Sequence, residues 1–244
     1  DFFLPALTVF LVATVATNAE ISELSAYYGF EEIEIIKLDW GTSGLQITDL
    51  NGDGLNDILV VNNKRAKIEL LLQKASFGPV AGDAGTDPNE ADVNALPPQE
   101  RFANESMAVS QQIHSMVSGD LNSDGLPDIA FYGEPKGLYV ILQKSAEANS
   151  GSALRLQWHT RRKIAVEDGL HFPKALARAD LNGDGKEDMA LAGQDSVYVV
   201  VQETDGTLAE PVKYPVSGQI LAVEPADLNG DGLTDLVLIA NDPD

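Results

Sequence analysis

Twelve aspartates and four asparagines recur in this chain at one fixed spacing, and that spacing suits a hard cation. The segment Asp49-Leu50-Asn51-Gly52-Asp53-Gly54-Leu55-Asn56-Asp57 returns at 120–128, 180–188 and 227–235, each copy reading D-L-N-x-D-G-x-x-D without a gap. Calcium takes about six to eight oxygen ligands at roughly 2.3–2.6 Å. A short loop supplies them when carboxylate or amide oxygens stand at alternate positions and a glycine allows a sharp turn. In the first copy the donors would be Asp49, Asn51, Asp53, the backbone carbonyl of Leu55, and Asp57. The second offers Asp120, Asn122, Asp124, Leu126 and Asp128, and the third Asp180, Asn182, Asp184, Lys186 and Asp188. The fourth offers Asp227, Asn229, Asp231, Leu233 and Asp235.

Asn, Asp and Gly are also common turn residues. A turn alone does not call for acids at positions 1, 5 and 9 together, because close carboxylates repel unless a cation sits among them. The loop matches the first half of an EF-hand but not the second. Position 12 is Val60, Phe131, Leu191 or Leu238, where an EF-hand or a dockerin-type loop carries an acid. The pattern therefore predicts a cation loop leading into a strand.

These four copies resemble the FG-GAP and VCBS repeats, the integrin-alpha-like repeats of β-propellers. Ile68 to Gln73 followed by Lys-Ala-Ser-Phe77-Gly78 is similar to the strand and Gly/Phe turn at the tail of such a repeat. The likeness runs from about residue 30 to the end, with Asn at position 3 in every copy and Ser123 in place of the usual glycine. The resemblance implies an all-β chain built as a propeller of four-stranded antiparallel blades, each with a Ca2+ loop between its first two strands.

Around the loops, the apolar runs Ile58–Val61, Ile129–Tyr132, Met189–Ala192 and Leu236–Ala240 read as strands. Further strands are expected at Ile68–Leu72, Leu138–Leu142, Leu154–Ile164 and Val197–Val201, and another at Glu32–Leu38. Gly44–Ile47 leads into the first loop. Residues 78–110 are rich in Gly, Pro, Asp, Asn and Glu and read as an inserted loop, either a projecting binding loop or a tolerated surface insertion. A smaller polar insertion covers Lys144–Ser152. Successive first aspartates, Asp49, Asp120, Asp180 and Asp227, stand 71, 60 and 47 residues apart, the shortest interval close to one four-stranded blade. Four blades are few for a closed ring, so the array is expected to be incomplete.

The chain has 244 residues, 44% of them hydrophobic, enough to bury a substantial core. It has no cysteine, which removes disulfides and thiolate metal sites. A formal net charge of −22 sets aside nucleic acid and anionic membranes as partners. Four bound calcium ions would bring that charge to −14, so part of the acidity belongs to the loops. Residues 1–19, apolar from Phe2 to Ala16 and ending in small residues, fit the hydrophobic half of a truncated signal peptide, with an uncleaved membrane anchor or a buried first strand as the alternatives. Export to an extracytoplasmic compartment would suit weak calcium sites, which fill where the ion is plentiful.

No nucleophile elbow, phosphate loop or dinucleotide fingerprint is present. His114, His159 and His171 read as packed or exposed side chains, and Arg161-Arg162-Lys163 as a solvated strand end or a contact for an acidic partner. The expectation is a non-catalytic, exported, calcium-binding propeller that recognises a protein or carbohydrate ligand or serves adhesion. The alternative is the accessory propeller of a secreted enzyme whose catalytic domain lies outside these residues.

Overall fold

The computed structural model describes residues 36–76, 101–145 and 156–241. The described residues are all-β, without a helix. β1 (Thr42–Thr48), β2 (Asp57–Asn62), β3 (Lys67–Gln73) and β4 (Phe102–Ala108) form an antiparallel meander in that order. A second meander uses β5 (Gln112–Gly119), β6 (Asp128–Glu134) and β7 (Gly137–Ile141). The chain then makes a short ribbon of β8 (Gln143–Lys144) and β9 (Gln157–Trp158) before β10 (Arg162–Ile164) pairs with β7 as the fourth strand. The third meander is β11 (Leu176–Ala179), β12 (Asp188–Ala192), β13 (Ser196–Val200) and β14 (Val212–Pro215). A two-stranded sheet, β15 (Gln219–Ala226) and β16 (Asp235–Asn241), completes the set.

Each sheet packs its face on the next. Leu59, Val61, Ile68 and Leu70 of the first sheet meet Met116, Ile129, Phe131 and Ile141 of the second. The second sheet's opposite face, with Val117, Tyr132, Leu138 and Val140, meets Leu176, Met189, Leu191 and Val197 of the third. Ile220 and Val223 of β15 join that same cluster. Sheet two is thus covered on both faces, which explains why Ile129–Tyr132 and Leu138–Ile141 are apolar without alternation. The first strands β1, β5, β11 and β15 lie beside one another in chain order.

Several expected boundaries change. The stretch 78–110 is not a loop throughout, because Phe102–Ala108 pairs with β3 along its whole length. Its FANESMA sequence exposes four of seven side chains, as an edge strand does, and so carries little hydrophobic signal. Residues 78–100 of that stretch lie outside the described residues, as do 146–152 of the smaller insertion, the apolar 1–19 segment and most of Glu32–Leu38. The described end of the latter, Ile36–Leu38, is not strand. The single strand expected over Leu154–Ile164 is two short pieces, β9 and β10, and Lys144 closes β8 rather than opening a loop. The basic run sits on the outer edge of sheet two, where Arg161 donates to Ser110 Oγ at 3.3 Å.

Candidate metal centres

All four acidic loops occupy the same place in their sheets, between the first strand and the second. Loop 49–57 joins β1 to β2, 120–128 joins β5 to β6, 180–188 joins β11 to β12, and 227–235 joins β15 to β16. Each loop wraps around its first aspartate. Asp49 Oδ1 accepts from the amides of Gly52 (2.8 Å) and Asp53 (3.1 Å), and Oδ2 accepts from Gly54 (2.8 Å). Asn51 Oδ1 accepts from the same Asp53 amide at 2.9 Å, which holds two prospective donor oxygens around one N–H. Asp53 Oδ1 accepts from the amide of Leu55 at 2.8 Å. Asp120, Asp180 and Asp227 repeat the arrangement on Gly125, Gly185 and Gly232.

The turn demands a left-handed backbone at position 4, with φ of +76° at Gly52, +77° at Gly183 and +77° at Gly230. Ser123 adopts φ +60° at that position in the second loop, and its hydroxyl donates to Gln202 Oε1 of the third sheet. The substitution that departs from the repeat pattern therefore has a partner.

The ninth position behaves differently from the other donors. Asp57, Asp128 and Asp188 are fully buried. Asp128 Oδ2 accepts from the amide of Leu121 (3.0 Å) and Oδ1 from the amide of Gln143 (2.7 Å). Asp57 does the same with Leu50 and Gln73, and Asp188 with Leu181 and Gln202. Asp235 accepts from Leu228 at 3.1 Å. Each buried carboxylate clips the start of its loop to the chain at or just past the end of the third strand. Burial pushes the Asp128 carboxyl up to about 7, against two amide donors that favour its ionised form; the charges of Asp124 and Asp120 push it further upward. Burial likewise raises Asp57 and Asp188, with smaller upward pushes from the aspartates at positions 5 and 1 of their own loops. Three acids are thus close enough to feel one another in each of the first three loops.

Every donor at these loops is a hard oxygen, a chemistry that fits calcium or magnesium and not a thiolate-seeking metal. The Leu55, Leu126 and Leu233 side chains offer nothing, and position 7 can contribute only its carbonyl. In the third loop Lys186 Nζ lies 3.2 Å from Asp184 Oδ2, so a cation of the chain itself partly satisfies that carboxylate. With the amide of Lys186 as the leading cause, Asp184 is held below the ordinary carboxylate range.

Residues outside the motif brace the second loop. Gln202 Nε2 donates to the Asp120 carbonyl at 3.0 Å, and Glu187, paired with Arg178, accepts from the Asp120 amide. The Thr204-Asp205-Gly206 turn of the third sheet presses on Asn122. Gln73, Gln143 and Gln202 are the site residues that the motif does not reveal. Their signal is a glutamine recurring at or two residues past the end of each third strand, most evident in Leu72-Gln73-Lys74 and Leu142-Gln143-Lys144. Gly206 has φ +80°, and a Cβ there would collide with the Asn122 carbonyl oxygen. Gly206→Ala is expected to cost about 1–3 kcal/mol, read as a lower urea midpoint with unchanged slope.

No curated protein matches the chain. Residues 180–238 match the FG-GAP-like repeat family, a span that starts at the first aspartate of the third loop and runs through the fourth loop into β16. That span holds two of the four copies of the motif, and the chain carries an FG-GAP-like repeat.

Proposed function

We propose that the sheets are blades of a β-propeller whose acidic loops bind Ca2+, and that the protein is an exported module that recognises a protein or carbohydrate ligand. The observation that carries this reading is the fourfold placement of one loop, each between the first two strands of its sheet, with close carboxylates that a divalent ion would relieve. The ordering of β1, β5, β11 and β15 side by side supports radial packing of blades. Leu228, at position 2 of the fourth loop, is 70% exposed, whereas its counterparts Leu50 and Leu121 are fully buried under a neighbouring sheet. Leu233 and Ile239 are exposed on the same sheet, so apolar surface remains there for a further blade to cover.

In this reading Asp49, Asn51 and Asp53 and their counterparts hold the ion at the loop's exposed rim. The buried position-9 carboxylates fix the loop to the sheet and lend negative charge from below. The bound ion supplies charge neutralisation and nothing else. A rigid row of loops then presents a defined surface to the ligand. No residue of the chain is assigned a catalytic step.

The test is calorimetric titration of chelator-stripped chain with CaCl2. About four ions per chain are expected, and none in a variant carrying D53A, D124A, D184A and D231A together. Uptake that is absent in the parent, or equal in the variant, rejects the calcium assignment. Retention on immobilised glycans or proteins in calcium but not in chelator would then identify the ligand class.

A further inference from the structure

Two of the chain's three histidines meet at the end of sheet two remote from its acidic loop. His114 lies near the start of β5, about 20 Å along the strand from Asp120 at roughly 3.3 Å per residue. The register between β5 and β6 shifts between Ile113 and Ser115, so His114 is the extra residue of a β-bulge. Bulges re-aim a side chain, and this one turns His114 toward Glu134, the last residue of β6. His171 arrives from the segment before β11, which is strapped to the third sheet by the Leu170 amide on the Ala192 carbonyl (2.8 Å) and by the Gly169–Gly193 bridge. A Cβ at Gly169 would strike the Tyr132 ring, so glycine there lets this segment approach.

The three side chains offer ligand atoms that all lie within 4.8 Å of one another. His171 Nε2 stands 3.4 Å from Glu134 Oε1, close to the roughly 3.3 Å that separates two ligands on a tetrahedral ion with bonds of about 2.0–2.1 Å. His114 Nε2 is buried without a hydrogen-bond partner, an arrangement a buried polar atom ordinarily avoids. The two imidazoles stack at 4.1 Å with planes 7° apart, so their lone pairs lie in nearly parallel planes, and one ring must turn for both to converge. His171, whose side chain is 38% exposed, has the room to do so. Burial holds His114 below the usual imidazole range and proximity to His171 lowers it further, against an upward push from Glu134. His171 also lines an open cleft of about 730 Å3 with Lys136, Asp168, Asp195 and Gln219, so an ion held here would keep a coordination position open to the cleft.

We propose that His114, Glu134 and His171 form a site for one imidazole-preferring divalent transition metal ion, zinc or its neighbours, with the remaining coordination facing the cleft. Two nitrogens and one carboxylate select this class over calcium, whose ligands are oxygens. With no cysteine in the chain, thiolates do not compete for the ion.

The experiment titrates the full chain, purified without a polyhistidine tag and kept in excess calcium, with ZnCl2 by calorimetry and with CoCl2 by visible absorption. One zinc per chain is expected, together with a cobalt d–d band that zinc abolishes. His171→Ala and Glu134→Gln are expected to weaken zinc by more than about 100-fold and about 10-fold respectively, while His159→Ala, at an exposed position, leaves it unchanged. His171→Ala removes a side chain from the cleft rim, and its thermal melt in calcium serves as the folding control. No stoichiometric uptake, uptake indifferent to His171→Ala, or uptake lost in His159→Ala overturns the site. Calcium uptake by the acidic loops is scored separately, so this proposal and the calcium reading fail independently.

Discussion

Asp128→Ala is expected to destabilise the chain by about 3–5 kcal/mol. The carboxylate is fully buried and receives the amides of Leu121 and Gln143. Removing it leaves two buried donors without acceptors, at about 1–3 kcal/mol each, and adds a small cavity between packed sheets. Asp128→Asn keeps the volume and one acceptor oxygen but turns an NH2 toward the other amide, so an intermediate loss is expected. Asp205→Ala, in an exposed turn where the carboxylate accepts from the amide and hydroxyl of Thr207, is the contrast and should change stability by less than about 1 kcal/mol. Urea unfolding at pH 7 in chelator checks the order. If Asp128→Ala and Asp205→Ala prove equal, position 9 is not a structural clip.

That role shows where sequence reading stops. D-L-N-x-D-G-x-x-D placed the loops and the strands behind them, because Gly54 and its counterparts are needed for the turn and Ile58–Val61 and its counterparts are continuously apolar. Position 9 reads as one more oxygen donor, since nothing local says that it points inward. Its burial depends on Gln73, Gln143 and Gln202, which stand 14 to 16 residues later and meet it only once the third strand has paired. The first strands carry a weak sequence pattern for another reason. Gln112–Gly119 carries a bulge at His114 that breaks the two-residue alternation, and Gln219–Ala226 is interrupted by its own bulge at Leu221 and by Pro225. The exposed edge strand β4 has too few apolar residues to stand out from the polar stretch before it. The His114–Glu134–His171 cluster unites residues from three separate segments through a bulge and a strapped loop, and no spacing in the sequence encodes that meeting.

Calcium is expected to raise the melting temperature of residues 20–244 by about 20 °C or more at neutral pH, and the rise should grow with pH. A ligand that binds only the folded state at about 100 times its Kd adds roughly 2.7 kcal/mol, and four such sites about 11 kcal/mol. One kcal/mol corresponds to roughly 2–4 °C in a chain of this size. The pH dependence follows from the buried clips. Asp128 titrates at about 7 in the folded chain and near the ordinary carboxylate value when unfolded, and Asp57 and Asp188 shift in the same direction. A raised folded pKa means that the folded state binds the extra proton, so the contribution of these three clips is fully present below the unfolded value, about 4, and is lost as pH rises to about 7. A divalent ion among the same carboxylates favours their ionised form and must displace protons to bind in that window. The calcium increment should therefore be small at pH 5 and full at pH 8, while the melt of metal-free chain, prepared by chelation and desalting, moves the opposite way. The D53A, D124A, D184A and D231A variant should show no increment at either pH while keeping the metal-free trend, because its position-9 acids are intact. Equal midpoints with and without calcium at pH 8 in a folded parent would make the loops turns held by their own amides. A pH-independent increment would instead place the ion away from the buried acids, on the exposed rim alone.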